Sequence, residues 1–338
     1  MIKLDANENP YRPPEELCRR LGEFSRRLDY NRYPDKTYSD LRKALAGYCG
    51  WPADLIMAGN GSDELILLLL LAYGGPYSRM ITVQPTFTMY AHYARATGTP
   101  AVEKTYRLEG SAGELKYPRQ EIMAEAEKDQ PGIIFLCSPN NPTGELRARS
   151  WLEKLLDRTE LPVVVDEAYY EFSGETFIDL LEKYENLIIL RTLSKAFGLA
   201  GLRVGYMLSS PAVYRKLEEL RSPYNISRYS AGAAGILLKA REYYQNSWKK
   251  IMSGREFLYR GLSELAGLTV FPSRGNYLLL QTEVKSPAKV YQELLERGVR
   301  IRYWDDLALF GQALRVSAGR REENELFLSE LTEVLKEV

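Results

Sequence analysis

Between residues 80 and 208 the chain alternates short apolar runs, most of them continuous, with amphipathic stretches. The runs are Met80–Gln84, Gly132–Leu136, Pro162–Val165, Leu187–Leu190 and Leu202–Leu208. A strand with one wet face would alternate apolar and polar residues. An unbroken run reads instead as a strand covered on both faces. The stretches Ser62–Tyr73, Thr86–Thr97 and Arg149–Arg158 carry helical spacing. Strands of this kind need helices on both sides, which predicts an α/β domain with a mostly parallel mixed sheet flanked by helices.

Further along, a long helical region spans about Ser230 to Ala266. It is followed by strand candidates at Asn276–Thr282, Val299–Tyr303 and Leu314–Ser317, with helices at Ala288–Arg297 and from about Glu322. This block reads as a second, smaller α/β domain. The expected division is an N-terminal arm at 1–27 joining the small domain, a large domain at 28–240 and a small C-terminal domain at 241–338.

Composition narrows the function. Lys and Arg together number 45, as do Asp and Glu, so no global field draws in nucleic acid or an anionic membrane. Three cysteines without a CxxC pair and a single histidine argue against a disulfide scaffold or a Cys/His zinc site. The start MIKLDANENP has no apolar core of a secretory signal, and the longest apolar run, Leu65 to Tyr73, is too short to span a bilayer. A cytoplasmic protein is expected, with no metal.

Four polar motifs fall where a strand ends or a helix begins, the place where α/β sheets bind ligands. AGNGSDELI (58–66) sets two glycines and Ser62 before an apolar helix, an arrangement suited either to an anion or to a plain capped turn. SPNNPTG (138–144) is a fixed turn whose Asn140 and Asn141 offer amide donors. VVVDEAYYEF (163–172) ends an apolar strand on Asp166, which is either a ligand contact or a structural acceptor. TLSKAFGLAGLR (192–203) puts Lys195 in a loop of small residues, as a surface lysine or as a Schiff-base nucleophile. Singly these are weak. Together they match one cofactor, pyridoxal 5′-phosphate. Its aldehyde needs a lysine, its ring nitrogen a carboxylate, and its phosphate N–H groups, hydroxyls and an arginine.

The same motifs, with LDANENP (4–10), NRYPD (31–35), PTFTMY (85–90), SPYNIS (222–227) and LRVSAG (314–319), run nearly the whole chain. In their order and spacing the chain resembles the fold-type I, aspartate-aminotransferase-like enzymes, and among them most resembles the histidinol-phosphate aminotransferases. That resemblance implies Lys195 as the Schiff-base lysine and proton shuttle, Asp166 on the ring nitrogen, Asn141 and Tyr169 on the ring oxygen, and Phe87 stacked on the ring. It implies Ser62, Asp63 (through its backbone N–H), Thr192, Ser194 and Arg203 around the phosphate. Tyr33 would reach the phosphate of a neighbouring subunit, which implies a homodimer with shared active sites. Arg315 would hold the donor's carboxylate, with Arg302, Asn9 and Asn141 also at the substrate. The implied reaction moves an amino group between histidinol phosphate and 2-oxoglutarate, or from glutamate to imidazole-acetol phosphate, in histidine biosynthesis. Threonine-phosphate decarboxylases and aromatic amino-acid aminotransferases share the scaffold and are the alternatives. LDANENP and DEAY follow the aminotransferase pattern, and retention of Lys195 argues against a non-catalytic sensor.

Overall fold

The computed structural model describes residues 1–109 and 114–336. Its centre is a seven-stranded sheet. In spatial order the strands are Ile56–Asn60, Val204–Ser209, Leu187–Thr192, Val163–Asp166, Gly132–Cys137, Arg79–Gln84 and Ala101–Thr105. Neighbours pair in parallel except Val204–Ser209, which runs against both of its partners.

The unbroken apolar runs feed two cores, one on each face. Along Val163–Asp166, Val163 and Val165 join one core and Val164 the other. Leu187 and Ile189 alternate with Ile188 and Leu190 in the same way, and Ile134 and Leu136 with Ile133 and Phe135. This period of two with no polar partner is what a doubly covered strand requires. Helix Gly61–Tyr73, apolar almost all round, is buried against one face. The edge strand Ala101–Thr105 is the exception, half-exposed and carrying Glu103 and Lys104. Charge on an edge discourages pairing with another chain.

A second, five-stranded sheet takes the order Ile2–Leu4, Val299–Leu307, Gly311–Ser317, Tyr277–Thr282 and Leu268–Phe271. Its core is covered by helices Arg241–Ser263, Pro287–Glu296 and Arg321–Lys336. The first strand of the chain therefore extends a sheet built from its last third. Helix Glu15–Arg26 goes elsewhere and packs on helix Arg228–Leu238.

Several boundaries differ from the sequence reading. The strand expected from Leu202 starts at Val204, because Ala200–Leu202 form a short tight turn and Arg203 takes a left-handed φ of 52°. The single helical region from Ser230 is two helices, broken at Lys239 and Ala240. Strand Ile56–Asn60 was hidden because it is read as the approach to the glycine turn that follows it.

Gly205 decides how closely the helix start can approach the sheet. A Cβ there would collide with the backbone of Gly61 and Ser62. Neither can move without shifting the helix it opens. Gly205→Ala is expected to lower stability by about 1–3 kcal/mol in urea unfolding, the range for forced overpacking.

Candidate active site

Strands Gly132–Cys137, Val163–Asp166 and Leu187–Thr192 all finish at one edge of the large sheet. Val204–Ser209 begins there, because it runs the opposite way. Its pairing sets Gly205 beside Thr192 and Val204 beside Asn60. One antiparallel strand thus brings Arg203, Thr192 and the start of helix Gly61–Tyr73 together. A cavity of about 180 Å³ opens among these ends. It is bounded also by Ala6 and Glu8 of the N-terminal arm.

At the floor lies Asp166, 2 % exposed. Its Oδ2 accepts the Tyr90 hydroxyl at 2.7 Å and its Oδ1 accepts the Ala168 N–H at 3.0 Å. Burial pushes its carboxyl up to about 6, against the pull of those two hydrogen bonds. A positive charge brought against it would restore the carboxylate. Tyr90 was not singled out from the sequence, although it lies three residues after Phe87. It is fully buried, edge-on to Phe87 and stacked on Phe135. Phe87 itself lines the cavity.

The hydroxyl-bearing end is built by Ser62, Thr192 and Ser194, which all line the cavity. Thr192 Oγ1 accepts the Ser194 N–H at 3.1 Å, whereas the Ser194 hydroxyl is buried with no partner among the described residues. A buried orphan hydroxyl calls for a ligand oxygen. No side chain caps helix Gly61–Tyr73, so its first turn offers N–H groups to an anion. Arg203 donates to the Asp63 carboxylate at 2.8 Å, so Asp63 uses its side chain on the arginine. A Cβ on Gly61 would stand 2.6 Å from Arg203 Nη2, so glycine there leaves the guanidinium its place.

Lys195 Nζ donates to the Ala6 carbonyl at 2.8 Å. Burial, and then the charge of Arg315, lower its pKa to about 8. The Tyr169 hydroxyl accepts from Asn7 Nδ2 at 3.0 Å, and burial pushes its pKa up. Asn141 lines the cavity and its Oδ1 accepts from Arg315 Nη1 at 2.6 Å. Arg315 Nη2 donates to the Asp5 carbonyl at 2.6 Å, and its Nε has no partner among the described residues.

Four expected residues need restating. Asn140 does not face the cavity; its side chain bonds Thr143 within the turn and Pro85 and Thr86 in the loop after strand Arg79–Gln84. Asn9, expected at the substrate, spends its amide on the Ala196 carbonyl and Ser247. The arm residue that reaches the site is Asn7, also in LDANENP, held at a positive φ of 54° and bonded to Ser317. Two asparagines two apart in an extended arm offer no sequence cue to which one points inward. Tyr33 is not at this cavity; it is 77 % exposed and stacked on Tyr224. Arg302 is exposed and sits opposite Arg315 on the paired strand. No group of three metal-ligating side chains occurs among the described residues.

The residues present fit pyridoxal phosphate: an amine whose pKa is lowered to about 8, a buried carboxyl awaiting a cation, and an orphan hydroxyl beside an uncapped helix. The family model described as aminotransferase class I and II matches residues 1–331, and the chain belongs to that family. It is 39 % identical to a histidinol-phosphate aminotransferase of Desulfitobacterium hafniense, over 99 % of this chain and 92 % of that one. The structure of histidinol-phosphate aminotransferase from Clostridium acetobutylicum superposes with a TM-score of 0.90 at 25 % identity, covering 100 % of both chains. That of the enzyme from Sinorhizobium meliloti, in complex with pyridoxal 5′-phosphate, gives 0.89 at 24 % identity, covering 99 % of this chain and 90 % of that one.

The lowered lysine pKa has a direct readout. In cofactor-free protein, the neutral fraction of Lys195 should rise as pH passes about 8, whereas an ordinary lysine waits until 10.5. Competitive acetylation followed by mass spectrometry should therefore modify Lys195 well below the pH at which surface lysines react.

Proposed function

We propose that the protein is a cytoplasmic, homodimeric, pyridoxal-phosphate-dependent aminotransferase acting on histidinol phosphate and 2-oxoglutarate, and in the biosynthetic direction on imidazole-acetol phosphate and glutamate. The observation that carries this reading is the meeting of Lys195, Asp166 and the unpartnered Ser194 hydroxyl around one cavity. The near-full-length likeness to relatives of that name supports the choice of substrate.

When bound, pyridoxal phosphate supplies an aldehyde for the amino group and a ring that takes up the electron pair released at the substrate carbon. Every other part falls to the chain. Asp166 would keep the ring nitrogen protonated, and Tyr90 and the Ala168 N–H hold that carboxylate in line. Ser62, Ser194, Thr192, Arg203 and the helix start anchor the phosphate. Asn141 and Tyr169 donate toward the ring oxygen. Lys195 would take the proton from the carbon that bears the amino group. An amine with a pKa near 8 is basic enough to take it and acidic enough to return it.

Amino transfer in two half-reactions requires one site to accept both partners in turn. Glutamate brings carboxylates and histidinol phosphate brings a phosphate monoester. Guanidinium groups serve both, because their fork matches either anion. Arg315 is already fixed by Asn141 and by the arm. The homodimer reading draws on Tyr33, which stands exposed outside its own cavity, where it is free to approach another subunit.

The holoenzyme should be mixed separately with histidinol phosphate, threonine phosphate, phenylalanine and glutamate while its visible spectrum is followed. Conversion by histidinol phosphate and glutamate without release of carbon dioxide is expected. Carbon dioxide from threonine phosphate would assign the decarboxylase reaction instead. Conversion by phenylalanine but not by histidinol phosphate would assign an aromatic aminotransferase. Arg302→Ala should raise KM for histidinol phosphate about tenfold, the loss of one charge-assisted contact, and leave phenylalanine much less affected.

A further inference from the structure

Arg302 and Arg315 occupy directly opposed positions on neighbouring antiparallel strands. Like charges so placed repel. No carboxylate separates them: the Arg302 guanidinium has no hydrogen-bond or ion-pair partner among the described residues, and that of Arg315 bonds only neutral oxygens, of Asn141 and the Asp5 backbone. What lies beside both is an indole. The ring of Trp304 is 5.3 Å from the Arg302 guanidinium carbon and 5.4 Å from that of Arg315.

We propose that Trp304 is a positioning residue that holds these two guanidiniums at the separation needed to grip a doubly charged phosphate ester, in preference to a singly charged carboxylate. The substrate class rests on the proposed function, but the effect on anion binding does not.

Several features place the indole for this. Residues 302 and 304 share one face of their strand. The residue opposite Trp304 is Ala313, whose small side chain leaves room for the ring. Beneath it the ring packs on the cluster of Phe271, Leu279, Leu307, Phe310 and Ala313, which anchors it. Directly after Trp304 the strand register shifts, and such irregularities re-aim side chains beside sites.

A π face suits the task better than an acid. A carboxylate between the arginines would hold them but cancel their charge. An aromatic ring attracts cations through its quadrupole and leaves that charge for the ligand. The Arg315 Nε–H is buried and has no partner among the described residues, so a donor is waiting. A phosphate monoester, with a second pKa of about 6, carries nearly two charges at neutral pH and satisfies both guanidiniums. A lone carboxylate satisfies one.

The test compares Trp304→Phe, which keeps a ring, with Trp304→Met, which keeps apolar bulk without one. Each holoenzyme is titrated calorimetrically with inorganic phosphate and, separately, with propionate. Trp304→Met should bind phosphate about tenfold more weakly, the equivalent of about 1.4 kcal/mol, with propionate changed less than about twofold. Trp304→Phe should recover most of the phosphate affinity. With the phosphorylated amino donor, KM should rise by a similar factor while kcat moves much less. Unchanged phosphate binding in Trp304→Met would overturn the proposal. So would an equal loss of both anions, or a failure of phenylalanine to rescue. If histidinol phosphate proves not to be a substrate, the phosphate and propionate titrations still decide the role of Trp304.

Discussion

Asp166 ends a strand whose other residues are wholly apolar, so the chain delivers a carboxylate into a place with almost no water. Burial raises its pKa, with smaller pushes from the Asp63 and Glu167 carboxylates, and the Tyr90 hydroxyl and the Ala168 N–H pull against that rise, leaving it at about 6. The group is therefore poised to bind a cation. Asp166 would keep a bound pyridinium nitrogen protonated, the state in which such a ring can take up electrons. The two packed cores on either side of the sheet fix this carboxylate, and every other residue of the site is set at a distance from it. The antiparallel strand Val204–Ser209 matters for the same reason. Its direction brings Arg203 to the edge where the parallel strands end, and Gly205 lets the helix start approach.

The N-terminal arm closes the opposite side. Within three residues it supplies the Asp5 carbonyl to Arg315, the Ala6 carbonyl to Lys195 and the Asn7 amide to Tyr169. Its first strand is hydrogen-bonded into the small sheet, beside the strand that carries Arg302. The arm thus links the lysine on one sheet to the arginines on the other. A shift of the small sheet would be felt by the lysine and the tyrosine through only a few bonds.

The sequence made the α/β architecture and most of the cavity legible. Strands buried on both faces announce themselves as unbroken apolar runs, and polar residues directly after such runs fall at the sheet edge. Asp166, Lys195, Ser62, Ser194, Thr192 and Asn141 were found in this way, Phe87 only through the family resemblance, and all line one cavity. Strand Ile56–Asn60 was missed because its residues merge with a glycine turn. Residues that act through another residue were missed as well. Tyr90 reads as one more aromatic in an amphipathic helix, and Trp304 as a strand aromatic, since their meaning lies in partners 76 positions away for Tyr90 and across a strand pair for Trp304. Asn9 and Asn7 could not be separated, because which way an extended arm presents its side chains is decided by tertiary contacts.

The central claim is that one lysine carries the cofactor. Reduction of the holoenzyme with borohydride, followed by proteolysis and mass spectrometry, tests it most directly. The account predicts a single pyridoxyl-phosphate adduct, one per chain, on Lys195. An adduct on another lysine, or none in protein supplied with pyridoxal phosphate, would contradict it.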